Sequence, residues 1–148
     1  MPMVDSKSAG ESSLSGSNCM FAEKNTSETR VILVDDDPIF GRLMSKLAEV
    51  NGIKLDYFDS MESVGFVANF NTYNVAILDY DLGNETGLEI AGIVPHFIKD
   101  LPVVIVSQTN RTEFDSRFMP DNVNKFLLKE RGGEKILSEA VSLAKKTS

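Results

Sequence analysis

Three consecutive carboxylates, Asp35-Asp36-Asp37, close the apolar run Val31-Ile32-Leu33-Val34. Crowding acids at the end of a buried strand costs electrostatic energy. A hard cation offsets that cost, and a set of oxygen donors with no softer ligand suits Mg²⁺. The plainer reading is that the acids end a strand and cap the next helix. Further along, Asp79 follows Val75-Ala76-Ile77-Leu78, Ser107 follows Val103-Val104-Ile105-Val106, and Lys129 follows Lys125-Phe126-Leu127-Leu128. Each of these has its own plain reading as a turn cap, a helix start or a solvated flank.

The segments between these residues decide how they relate. Strands are predicted over Arg30–Val34, Lys54–Phe58, Val75–Leu78, Val103–Val106 and Lys125–Leu128, the middle ones uniformly apolar. The first helix opens with Asp37 as cap and Pro38 at its first position, where a missing N–H costs nothing. Ile39, Phe40, Leu43, Met44, Leu47 and Val50 then recur at helical spacing until Gly52. Further helices are predicted from Met61 to Asn69, from Thr86 towards Phe97 with Pro95 ending or kinking it, and from Gly133 to Lys145. The segment Thr109–Pro120, with Phe114, Phe118 and Met119, gives only a short amphipathic turn or two. Five βα units of this kind specify an α/β fold, a mostly parallel doubly wound sheet with helices on both faces. In such a sheet ligands bind outside the carboxyl ends of the strands. Asp35, Asp36, Asp79, Ser107 and Lys129 therefore converge on one edge, which coincidence explains poorly.

Composition narrows the alternatives. At 148 residues the expectation is one domain, residues 30–148, behind a disordered tail over residues 1–29 that carries seven serines and little apolar pattern. A formal net charge of -7 excludes a nucleic-acid footprint, and the basic doublet Lys145-Lys146 complements a helix C-terminus. The lone Cys19 permits no internal disulfide. No apolar stretch approaches the ~20 residues of a membrane helix and no signal peptide is evident, so a cytoplasmic location is expected.

From Arg30 to about Lys146 the chain resembles the receiver domain of two-component response regulators, and is similar to the chemotaxis response regulator. The resemblance rests on Val34-Asp35-Asp36-Asp37-Pro38, on Ile77-Leu78-Asp79-Tyr80-Asp81-Leu82 followed by Gly87, on Val106-Ser107, and on Phe126-Leu127-Leu128-Lys129. It implies a flavodoxin-like fold with strand order 2-1-3-4-5, and a stand-alone signalling domain that catalyses only its own phosphorylation and dephosphorylation. Asp79 would accept a phosphoryl group from a histidine kinase or histidine phosphotransfer protein. Asp36 and Asp79 would bind Mg²⁺ through carboxylates, Asp81 through its backbone carbonyl, and Asp35 directly or through water. Lys129 and Ser107 would hold the phosphoryl oxygens, and Ser107 with Phe126 would form the switch. A downstream protein partner would bind the fourth helical region, strand five and the last helix. For Phe126 a buried core role weighs equally.

Two departures from the family pattern carry expectations. Glu130 replaces a proline that usually follows the lysine, so a trans Lys129-Glu130 bond is expected, with Gly132 and Gly133 absorbing the altered path. Gln108 replaces a small residue after the hydroxyl position and is expected to alter dephosphorylation or donor access. Two other functions stay open. One is a pseudo-receiver that binds partners without being phosphorylated. The other is an aspartate-nucleophile phosphatase of the haloacid dehalogenase type, although no acidic pair follows Lys129 to hold its metal.

Overall fold

The strand residues alternate between two helical layers, and this alternation positions everything else. The computed structural model describes residues 28–108 and 120–147. β1 (Arg30–Val34) sends Val31 and Leu33 to one face of the sheet and Ile32 and Val34 to the other, the period of two inherent in a pleated strand. β3 (Val75–Asp79) and β4 (Val103–Ser107) are buried along their whole length, so both faces at the centre are covered. β2 (Lys54–Phe58) and β5 (Val123–Leu128) form the edges and are only partly buried. Every pairing is parallel and the order is β2-β1-β3-β4-β5, the predicted doubly wound arrangement.

One layer is built by α1 (Pro38–Val50) and α4 (Gly133–Thr147). Phe40, Met44 and Ala48 of α1, with Ile136, Leu137, Ala140 and Ala144 of α4, pack on Val31, Leu33, Val75, Ile77, Val104 and Val106. The other layer carries α2 (Met61–Val64), a 3-10 helix over Val67–Thr72, and α3 (Gly87–Ile93). Val64, Phe70, Ile90 and Ala91 there cover Ile32, Val34, Ala76, Leu78 and Ile105.

α1 begins as expected, with Asp37 Oδ1 accepting the Ile39 N–H at 3.0 Å and Pro38 in the first turn. Its buried stripe, however, is Phe40, Gly41, Met44 and Ala48, whereas Ile39 and Val50 are 71 % and 72 % exposed. The helix is rotated so that the Phe40–Met44–Ala48 stripe, rather than Ile39 and Val50, faces the sheet.

The helix predicted from Met61 to Asn69 is broken. Gly65 adopts φ 94°, Phe66 is extended, and the chain resumes as a 3-10 turn. α3 stops at Ile93 and continues only as a 3-10 turn over Val94–His96 that contains Pro95. β5 starts at Val123, two residues early, because a register irregularity pairs Val103 with Val123 and Val104 with Lys125. The tail over residues 1–27, with Cys19, and the segment from Thr109 to Met119 lie outside the described residues. Among the described residues no helix is long and apolar enough to cross a membrane.

Candidate functional site

The carboxyl ends of β1, β3, β4 and β5 bring the sequence-identified residues to one cavity of about 320 Å³. Its lining includes Asp36, Asp37, Asp79, Asp81, Ser107, Gln108 and Lys129. Asp35 lies behind it, fully buried, while Asp79 and Ser107 are nearly so and Asp36 is exposed. The β1–β2 ladder extends one residue past the strand, since the Asp35 N–H donates to the Phe58 carbonyl at 3.0 Å. Asp35 thus leaves the sheet in a fixed direction, and the next two residues turn into α1.

Asp35 Oδ1 accepts the Asp37 N–H at 2.9 Å, and Oδ2 faces the Lys129 ammonium 2.7 Å away. The latter contact is a short, buried ion pair. Lys129 Nζ also lies 3.7 Å from Asp79 Oδ1 and 4.7 Å from the centroid of the Phe40 ring, a cation–π contact inside the first layer. The lysine is delivered by a 3-10 turn over Lys129–Arg131, after which Gly132, at φ 99°, redirects the chain into α4. Gly133 packs its backbone against α1, where a Cβ would approach Leu47 Cδ1 to 2.8 Å.

The loop after β3 is closed on itself. Asp81 and Thr86 form an isolated antiparallel bridge, the Leu82 N–H donates to Glu85, and Asp81 Oδ1 accepts the Gly83 N–H at 3.1 Å. Thr86 and Glu89 form a reciprocal capping box at the start of α3. Gly87 sits directly on the phosphoacceptor candidate's backbone, where a Cβ would come within 2.5 Å of the Asp79 carbonyl oxygen. That close approach requires glycine. Phe126 is half-buried, its ring 6.1 Å from that of Tyr80 and tilted by 55°.

Charge in the site does not balance. One ammonium faces two buried carboxylates with Asp36 alongside. Burial, and then the neighbouring Asp35 charge, push the Asp79 carboxyl up to about 7, against the opposing pull of Lys129. Burial likewise raises Asp35, while Lys129 and the Asp37 N–H work to lower it. A divalent cation fits this excess. Asp35, Asp36 and Asp79 each offer one carboxylate oxygen within 4.8 Å of the others. All three are hard oxygen donors with no softer ligand among them, the donor chemistry that would suit Mg²⁺.

Three residues of this site escape a reading of the sequence. Tyr57 on β2 donates its hydroxyl to the Asp35 carbonyl at 2.7 Å, and burial followed by the surrounding acids raises its pKa, keeping the proton on. Gly41 makes room for that ring, and Phe40 supports Lys129. In sequence Tyr57 is one aromatic in a short edge strand, and Phe40 and Gly41 are helix residues. Only the register and the packing disclose their neighbours.

The architecture is shared with solved receiver domains. The receiver domain of the Francisella response regulator 1452 superposes with a TM-score of 0.71 at 22 % identity, over 82 % of this chain and all of that one. The beryllofluoride-activated NtrC4 receiver domain dimer gives 0.70 at 17 % identity, over 80 % of this chain and 98 % of that one. A response regulator protein from Burkholderia pseudomallei, with a phosphorylated aspartic acid, a calcium ion and citrate, gives 0.66 at 17 % identity, over 80 % and 70 %. At such identities the likeness is one of fold. No curated protein matches the chain by sequence. The family model for the response regulator receiver domain matches residues 31–141. On that match, which takes in the sheet from Val31 onward and the acidic cavity, the chain belongs to the response regulator receiver domains.

Proposed function

We propose that this receiver accepts a phosphoryl group on Asp79 from a phosphohistidine of a histidine kinase or histidine phosphotransfer protein, with Mg²⁺ as cofactor, and that the product changes which protein it binds. The observation that carries this reading is the meeting of Asp35, Asp79 and Lys129 within ion-pair distance at the wall of one acidic cavity, with Ser107 beside them. An Asp79 carboxylate oxygen attacks phosphorus as the phosphorus–nitrogen bond to the donor's imidazole breaks, its electron pair staying on the departing nitrogen. Asp36, Asp79, the Asp81 carbonyl and, directly or through water, Asp35 would hold Mg²⁺, which would supply positive charge against the phosphoryl oxygens and favour the ionised Asp79. Lys129 lies between Asp35 and Asp79 and needs only a small movement to meet a new oxygen on Asp79. The Ser107 hydroxyl, fixed at the end of β4, supplies a further donor. On this reading the chain would catalyse only its own phosphorylation and dephosphorylation.

The phosphorylated aspartic acid of the Burkholderia protein and the beryllofluoride activation of NtrC4 are in keeping with this chemistry. Output is proposed to pass through β5, α4 and the preceding Thr109–Pro120 region, with Ser107 and half-buried Phe126 as the switch pair. The phosphatase reading has less support, because among the described residues the one cluster able to hold a metal precedes Lys129.

Acyl phosphate with Mg²⁺ should add one phosphoryl group to the wild type, read by intact mass, and none to Asp79→Asn. Beryllofluoride should shift the amide resonances around Asp79. A wild type that neither gains mass nor binds beryllofluoride is a pseudo-receiver, and the proposal fails.

A further inference from the structure

We infer that Tyr57, on the edge strand, is a positioning residue for the acid pair, holding the peptide that joins Asp35 to Asp36 through its hydroxyl, with Gly41 as the space its ring requires. The inference rests on the proposed reading of the cavity as the metal and phosphoryl site.

The β1–β2 register sets Leu33 beside Tyr57, so the ring must reach along the strand to put its hydroxyl on the Asp35 carbonyl at 2.7 Å. That carbonyl belongs to the peptide with the buried Asp35 carboxylate on one side and the exposed Asp36 carboxylate on the other. Asp35 is directed at Lys129 and Asp36 into the cavity, so fixing this one peptide plane fixes both directions. The ring lies flat on α1. A Cβ at position 41 would stand 2.4 Å from Tyr57 Cζ and 2.6 Å from each Cε, so any side chain there would have to push the ring aside. Glycine inside a helix is less stable than alanine, and the ring accounts for its presence here. Phenylalanine would fill the same space on Gly41, which makes the hydroxyl the atom that distinguishes positioning from packing.

Two variants test this. Tyr57→Phe keeps the ring and removes the hydrogen bond; Gly41→Ala keeps the hydroxyl and displaces the ring. Each should weaken Mg²⁺ binding, titrated calorimetrically, by about 3- to 10-fold, the range set by the net value of one hydrogen bond. The double variant should be no weaker than Gly41→Ala alone, since both act through one contact. In the metal-free protein, amide exchange at Asp37, whose N–H is held by Asp35 Oδ1, should quicken in Tyr57→Phe while exchange at Ile105 in the core stays at its wild-type rate. If Tyr57→Phe binds Mg²⁺ within about 2-fold of wild type and Asp37 exchange is unchanged, the residue is mere packing and the inference is overturned. If the wild type itself binds no Mg²⁺, the reading of the cavity fails instead, and Asp37 exchange alone then decides whether Tyr57 holds the turn.

Discussion

Replacing Asp79 by asparagine should make the metal-free protein more stable, and only where the acid is ionised. The Asp79 carboxyl is raised from its ordinary value of 3.8 to about 7. The folded protein therefore binds this proton more tightly than the unfolded chain does. Its contribution to stability is most favourable below 3.8, declines as pH rises, and becomes a full penalty above about 7. A rise of roughly three units at 1.36 kcal/mol each sets a ceiling of about 4 kcal/mol. Asp79 is only 6 % exposed, so solvent screening removes little of it. The neighbouring Asp35 is raised as well, however, and the two carboxyls share the cost of their proximity. Asparagine also gives up the attraction of Lys129, 3.7 Å from Oδ1. The expected gain is about 1–3 kcal/mol at ~pH 8, falling to roughly a third of that at ~pH 5 and vanishing only below the ordinary value of 3.8. Urea denaturation in chelator at both pH values measures it. Saturating Mg²⁺ should then stabilise the wild type much more than the variant, narrowing the gap. A gain that is equal at the two pH values, or absent from both, would refute the electrostatic account of the site.

Lys129→Met strands the buried Asp35 charge, and a loss of about 3–5 kcal/mol is expected at neutral pH, shrinking in acid as Asp35 takes up a proton; urea midpoints across pH test it. Gly87→Ala should destabilise by about 1–3 kcal/mol despite better helix propensity, because its Cβ meets the Asp79 carbonyl oxygen; thermal unfolding and the rate of acyl phosphate labelling should both show the defect. Gln108→Ala, at an exposed position lining the cavity, should change donor access or dephosphorylation while stability stays within about 0.5 kcal/mol of wild type. Unchanged labelling and hydrolysis rates would remove Gln108 from the account.

The parts of this molecule legible from its residues are those fixed by strong local patterns. The apolar runs of β1, β3 and β4 announced a buried parallel sheet, and their terminal residues announced the cavity, because a strand end is located by where the apolar run stops. Helix faces were less legible. Ile39, Leu43 and Val50 fit a 3.6-residue stripe as well as Phe40, Met44 and Ala48 do, and only packing against β2 and α4 selects between them. The break at Gly65 was hidden for a related reason. A lone glycine within an amphipathic pattern is compatible with a helix, and its positive φ is imposed by the route to β3. In the site, Asp35, Asp36, Asp79 and Lys129 were visible as chemistry, whereas Tyr57 and Gly41 acquire meaning only through their mutual contact.

The tether on Asp35 comes from β2, which has a partner on one side only. Edge strands open by local fluctuations smaller than global unfolding, with their outer hydrogen bonds exposed to water. Each such opening frees the Asp35–Asp36 peptide while the central strands and the fold persist. The proposed phosphoryl chemistry therefore has a lower thermal ceiling than the architecture. On warming, Mg²⁺ affinity should decay before helical content does, so the protein goes silent while still folded and recovers on cooling without having to refold.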